Sequence, residues 1–104
     1  MMDVEMVGLE LIGILRRPVE AIARSDRDLA SQIRRAASSA VFNVSEGSKR
    51  AGKQKLHFFR IAAGSASELR MAVEVARKWG HEIDGTDELV DRLNAMLWRL
   101  SHPR

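Results

Sequence analysis

Apolar residues recur every three or four positions along most of this chain, which is the period of amphipathic α-helices. Alternating runs of β-branched residues, which are typical of strands, are almost absent. Breaks in the helical pattern divide the chain into four segments, at about 4–24, 26–49, 53–79 and 86–101. Because the connections between them are short, we expect neighbouring helices to run antiparallel. The pattern predicts one all-α domain over residues 1–104, an up-down-up-down four-helix bundle.

Pro18 lies within the first predicted helix. A proline inside a helix removes one backbone hydrogen bond and clashes with the preceding turn. The alternatives are a kink at Pro18, or a break at which Pro18 opens a new turn.

Several helices carry apolar residues on a second face, away from the face predicted to form the core. On the third helix, a stripe that includes Ala72 lies opposite Leu69 and Val73. Single exposed apolar residues are ordinary, but together these exceed what a monomer usually exposes. We therefore predict a homo-oligomer with these residues at its interfaces. The predicted interface residues are Met6, Leu9, Phe42, Met71, Val75, Trp79 and Trp98.

The composition narrows the class of protein. The chain has 104 residues, of which 45% are apolar and 30% are charged, and its formal net charge is +3. The absence of cysteine excludes disulfides, thiolate metal sites and cysteine nucleophiles. No apolar run approaches the ~20 residues that a membrane-spanning helix needs. We expect a soluble cytoplasmic protein.

Positive charge is concentrated in the middle third, because residues 31–60 carry a net charge of +6 and residues 49–60 contain no acid. Lys53 and Lys55 oppose the positive dipole end of the third helix, at a cost of about 0.3–1 kcal/mol each, so stability alone does not explain them. One interpretation is a solvated turn. The other is a phosphate-binding surface, with His57 and Phe58 available to stack on a base. The predicted nucleic-acid-binding residues are Arg34, Arg35, Lys49, Arg50, Lys53, Lys55 and Arg60.

A flank of polar residues follows the second helix in steps of three or four positions. Inside a bundle such groups need hydrogen-bond partners, which the third helix can supply. Arg35 can pair with Glu46 or with a carboxylate of a neighbouring subunit. We favour a structural network over a catalytic site. The residues of this predicted polar seam are Gln32, Arg35, Ser39, Asn43 and Glu46, with Ser65 and Glu68 on the third helix.

Recognised catalytic motifs are missing from the sequence, which contains no phosphate-binding glycine loop, no HExxH and no serine and histidine at a motif spacing. His81, Glu82 and Asp84 form a small cluster, but they offer too few ligands at no recognised zinc or calcium spacing. We predict a protein that is not an enzyme and that has no catalytic residues, metal or cofactor.

Several of these segments together resemble a known family. They are Ser31 to Ala37 (SQIRRAA), Asn43 to Gly47 (NVSEG), Ile61 to Ser65 (IAAGS) followed by Glu68 and Leu69, and Met96 to Trp98 (MLW). In this order and spacing they are similar to the signatures of the bacterial four-helix-bundle family that is also called the 23S rRNA intervening sequence protein family. The resemblance covers about residues 29–100.

The resemblance implies a four-helix protomer that assembles into a ring-shaped homopentamer. It also implies kinship with the accessory protein of diversity-generating retroelements, a basic pentamer that contacts a reverse transcriptase and nucleic acid. We therefore expect an accessory or scaffold protein that binds RNA or DNA without strong sequence preference. The alternative is a purely structural or protein-interaction scaffold with no nucleic-acid role.

Overall fold

Four α-helices form the regular secondary structure of residues 3–104, which are the residues that this computed structural model describes. Within that range there is no β-strand, and the prediction of an all-α protein with four helices is confirmed. The helices are α1 (Val4–Ala23), α2 (Arg27–Ser48), α3 (Gly52–Lys78) and α4 (Asp87–Ser101).

The first two helices begin at aspartate caps. The side chain of Asp3 accepts a hydrogen bond of 2.9 Å from the backbone N–H of Met6, and Asp26 accepts one of 3.0 Å from Leu29. Each bond satisfies an N–H group that has no partner within its helix. Helix α1 then runs without interruption through Pro18. The alternative of a break at that residue is therefore wrong.

The core consists mainly of aliphatic side chains from all four helices. Helix α1 packs on α2 and α4, and α3 packs on α2 and α4, with the most extensive contact between α2 and α3. Small residues on the inner face of α2, such as Ala36 and Ala40, allow that close approach. A Cβ atom added at Gly47 would lie only 2.8 Å from the Phe59 ring, so that glycine is needed for the contact.

One inference about core positions is wrong. Ala72, which the pattern places on the outward stripe, is 7% exposed. The close packing of α2 against α3 explains Ala72, because a small residue on the flank of α3 is covered when the partner helix approaches closely. Within residues 3–104 no helix has an apolar stretch long enough to cross a membrane.

Candidate nucleic-acid interface

The connection between α2 and α3 carries the predicted cluster of cations. Lys49 follows the last residue of α2 and Lys53 lies in the first turn of α3, and both side chains are exposed. Helix α3 begins at Gly52, whose φ of 59° lies in the left-handed region, and it has no side-chain cap and no acid in its first turn. The positive end of the α3 dipole and the charge of Lys53 therefore lie together, with no acid in the first turn of that helix to compensate them.

Arg50 differs from its neighbours because its charge is already paired. Its Nε and Nη2 atoms donate to Glu46 Oε2 at 3.0 and 2.7 Å, and its guanidinium lies 5.4 Å from the centroid of the Phe58 ring. The hydrogen bond from Arg50, and then its charge, lower the pKa of Glu46. Of the two alternatives for Arg35, pairing with Glu46 is wrong, because Glu46 pairs with Arg50 one helical turn away, whereas Arg35 lies eleven residues, or about 16 Å, along α2.

The other predicted cations form no ion pair with any described residue. Lys49, Lys53 and Arg60 are exposed, whereas Lys55 is half-buried with its Nζ 5.7 Å from the centroid of the Phe59 ring. We call Lys49, Lys53, Lys55 and Arg60 the basic turn.

Arg34 and Arg35 are not part of the basic turn. They precede Lys49 by about four helical turns on α2, which corresponds to roughly 20 Å along the helix axis. The structure therefore does not bring all seven predicted nucleic-acid-binding residues together, and Arg34 lines a groove on another face.

The polar seam is smaller than predicted. Ser39 Oγ and Ser65 Oγ lie 2.7 Å apart, and the Asn43 side-chain amide donates to Ser39 Oγ and to the Ser39 carbonyl at 3.1 and 2.8 Å. Gln32 and Glu68 are exposed and make no hydrogen bond to another described residue. The three connected residues join α2 to α3 and satisfy the hydroxyl of Ser65, which is buried.

All seven predicted interface residues are exposed, by 38% for Val75 up to 76% for Trp79. Trp98 stacks on His102, with their ring centroids 4.3 Å apart. Ile14 and Ile61 are also exposed, which the pattern did not reveal because they lie at the border between the inner and outer faces of their helices.

Two further features were not predicted. A mostly apolar groove of about 480 Å³ lies between α1 and α2, where Gly13, Ala37 and Ser38 leave space that larger side chains would fill. At the connection to α4, Arg77 donates twice to the carbonyl of Ile83 at 3.2 and 2.7 Å. The small residues Gly13, Ala37 and Ser38 were a signal in the sequence, but they indicate a groove only once α1 and α2 pack with these residues opposite each other.

Arg77 also pairs through Nη1 with Glu74 and Asp87, each at 2.9 Å. The hydrogen bond to Asp87 is the largest influence that raises the pKa of Arg77. Arg77 on α3 therefore contacts both the following loop, through Ile83, and the start of α4, through Asp87. His81, Glu82 and Asp84 lie in that loop, and in the described part of the chain no three acidic or histidine side chains are arranged to hold a metal ion.

Comparison with known proteins gives one result. The family model described as 23S rRNA-intervening sequence protein matches residues 19–99, which is most of the chain. No curated protein and no solved structure matches.

Proposed function

The chain belongs to the 23S rRNA-intervening sequence protein family, and we propose that it is a non-enzymatic accessory or scaffold protein that binds RNA or DNA through its basic turn. The observation that carries this proposal is that Lys49, Lys53 and Arg60 are exposed and form no ion pair with any described residue. Exposed cations without an ion-pair partner attract phosphate groups, and Lys53 lies at the positive end of the α3 dipole, which adds to this attraction.

The expected binding is tolerant of sequence. The cations of the basic turn offer charge and hydrogen-bond donors suited to phosphate oxygens, and such contacts position a nucleic acid without reading its bases. His57, which is exposed beside them, adds a ring on which an unpaired base can stack. The family description names ribosomal RNA, and we therefore choose RNA as the polyanion for the binding experiment.

Assembly is the second part of the proposal. The resemblance of the sequence to its family implies a cyclic homo-oligomer, expected to be a pentamer, in which the basic turn occurs once per copy. Several weak phosphate sites on one particle bind one polyanion with much greater avidity than a single site. The exposed apolar residues on several helices support this assembly, because water-exposed patches of this kind usually mark interfaces.

An up-down-up-down arrangement of the helices is part of the same proposal. Ser39 meets Ser65, whereas Gly47, further along α2, approaches Phe59, which is earlier on α3. On the other side, Asn94 donates to the carbonyl of Ala66, and the earlier Asp91 pairs with the later Arg70. In both helix pairs, the residue numbers of the contacts rise along one helix as they fall along the other, which supports antiparallel neighbours.

The experiment compares two triple variants that each remove three unpaired cations. One variant changes the basic turn (Lys49→Ala, Lys53→Ala and Arg60→Ala). The control changes one cation on α1, the C-cap residue of α1 and the first residue of α2 (Arg17→Ala, Arg24→Ala and Arg27→Ala). We expect fluorescence anisotropy with a labelled RNA to show binding for the wild type and the control, and at least tenfold weaker binding for the basic-turn variant. Equal loss in both variants would indicate that net charge alone drives binding.

The second candidate is a scaffold without a nucleic-acid role, which recognises only protein. The exposed side chains of Phe42, Trp79 and Trp98 favour it, since aromatic residues are common at protein interfaces. By analogy with the related accessory proteins, its partner would be an enzyme such as a reverse transcriptase. This candidate predicts the same assembly but no measurable RNA or DNA binding at low salt.

A further inference from the structure

The groove between α1 and α2 is a concave apolar surface with a single unpaired charge. Leu15, Val19 and Ile33 form its buried floor, and Gly13 and Ala37 leave it open. At its rim Arg16 is paired with Glu20 at 3.5 Å, whereas Arg34 has no ion-pair partner among the described residues. An occupant that fits this groove therefore has a projecting apolar surface and one negative charge beside it.

Helix α3 carries a surface with that chemistry. Glu68, Met71, Val75 and Trp79 follow one another in steps of three, four and four residues, so their side chains form one ridge along the helix. The three apolar members are 38–76% exposed. Unlike Glu74, which pairs with Arg77, Glu68 has no partner in the described chain.

The groove and the ridge also lie at similar heights along the molecule. Ser39 meets Ser65, so antiparallel pairing places Ile33, in the groove, near the height of Met71, on the ridge. Two copies with parallel long axes can therefore place ridge and groove side by side without sliding past each other.

We propose that the ridge on α3 of one copy inserts into the α1–α2 groove of the next copy, with Glu68 of the first facing Arg34 of the second. This interface rests on the homo-oligomer of the proposed function and identifies the surfaces that form it. The apolar side chains are removed from water, and the two unpaired charges neutralise each other at the edge of the contact. Because ridge and groove are different surfaces of one chain, the contact is heterologous and generates a ring or a filament instead of a twofold dimer.

The first test fills the groove. A Cβ atom at Gly13 would meet no other atom within 4 Å, and leucine is a better helix former than glycine, so Gly13→Leu leaves the protomer folded. Light scattering coupled to size-exclusion chromatography should give the mass of one chain, 11.7 kDa, for this variant, and a multiple of it for the wild type. Glu10→Leu, which adds a leucine on α1 outside the groove, is the control and should assemble normally.

The second test exchanges the two charges. Arg34→Glu and Glu68→Arg should each weaken assembly at least tenfold, and the double variant should recover it because the opposite charges again face each other. Arg17→Glu, an exposed α1 residue that does not line the groove, should have little effect. Failure of the double variant to recover assembly would overturn the pairing of Glu68 with Arg34.

The third test mixes two defective proteins. Gly13→Leu has an intact ridge but a filled groove, and Trp79→Glu has an intact groove but an altered ridge. Only one contact can therefore form between the two variants, and an equimolar mixture should give a heterodimer and no larger assembly. A mixture that remains monomeric would contradict a heterologous contact between these surfaces.

The outcomes separate this interface from the proposed function. A wild-type protein that is monomeric at micromolar concentration would refute the homo-oligomer itself. Wild-type assembly that persists in Gly13→Leu would refute only the ridge and groove, and would show that another surface joins the copies. RNA binding by the monomeric Gly13→Leu variant, even if weaker, would retain the basic turn as the binding site.

Discussion

The Thr86 side chain, immediately before α4, is fully buried and its hydroxyl has no hydrogen-bond partner among the described residues. A buried hydroxyl without a partner costs about 1–3 kcal/mol, so Thr86→Val, which keeps the shape, should raise the free energy of unfolding by about 1 kcal/mol. Urea denaturation measures this. Thr86→Ser retains the hydroxyl but loses the methyl group, and should be less stable than the wild type. A valine variant less stable than the wild type would show that the hydroxyl does have a partner.

Two glycines of α3 should respond oppositely to alanine. Gly52 has a φ of 59°, where an alanine is strained by about 1–2 kcal/mol, although its Cβ would have open space. Gly64 lies inside the helix with equally open space, and there alanine should stabilise by about 0.5–1 kcal/mol. Thermal unfolding of the two variants, recorded by circular dichroism, should shift in opposite directions. Shifts of the same sign would refute the left-handed conformation of Gly52.

The exposure of single residues was largely predictable, and their pairings were not. Helical periodicity placed Phe42 and Trp98 outward correctly, because exposure depends on the angular position of a residue on its own helix. Glu46 pairs with Arg50, four residues further on, and not with Arg35, which lies eleven residues, or about 16 Å, away along α2. The apolar period does not determine whether an exposed carboxylate forms an ion pair, because that depends on the conformations of the side chains within reach.

At the scale of elements, the Glu46–Arg50 pair joins the end of α2 to the turn that follows. Glu46→Gln should release the Arg50 guanidinium to contact phosphate, and RNA affinity should rise at low salt. The slope of log Kobs against log[salt] should then steepen by about 0.7–0.9 for the added contact. Glu46→Ala serves as a second variant, because both replacements remove the carboxylate. Unchanged or weaker binding in both would show that Arg50 does not contribute even when it is free.

The same pair has a predictable pH dependence. Because Arg50 lowers the pKa of Glu46 below its ordinary value in the folded state, the pair stabilises the fold at pH values above that ordinary pKa, and this stabilisation is lost as the pH falls through the lowered pKa. As the pH falls from neutral to acid, the free energy of unfolding of the wild type should therefore decrease by more than that of Glu46→Gln. Urea titrations at several pH values compare the two, and parallel losses would contradict the assignment.

Arg77 fixes the connection between α3 and α4. Lysine at this position keeps the charge but cannot donate from two nitrogens to the Ile83 carbonyl while it also pairs with Asp87. Arg77→Lys should therefore lower the free energy of unfolding by about 1 kcal/mol. Arg17→Lys, at an exposed α1 residue that forms no ion pair with a described residue, is the control and should leave the stability unchanged. Equal stability of Arg77→Lys and the wild type would mean that the bonds to Ile83 contribute nothing.

The number of helices was predictable because a repeated apolar period extends through each of them. The burial of Ile83 and Thr86 was not, because loop residues follow no period and their burial depends on how the chain returns to the core. The α1–α2 groove was also missed. It results from small side chains on two helices that lie opposite each other, and such a juxtaposition exists only after the helices pack.

At the scale of the whole molecule, the basic turn lies apart from the apolar surfaces of the ridge and the groove. The basic turn lies at the α2–α3 connection, whereas the ridge and the groove lie along the sides of the helices. Assembly through the sides therefore leaves the cations of each copy accessible. This separation is why binding and assembly can be tested by different substitutions.

The salt dependence of RNA binding tests the account most directly. Each phosphate neutralised contributes a slope of about −0.7 on a single strand or −0.9 on a duplex in a plot of log Kobs against log[salt]. We predict a slope steeper than about −2 for the wild type and for the Arg17, Arg24 and Arg27 control, and a much shallower slope when Lys49, Lys53 and Arg60 are replaced. A wild-type slope near zero, or one that the basic-turn variant retains, would contradict the account.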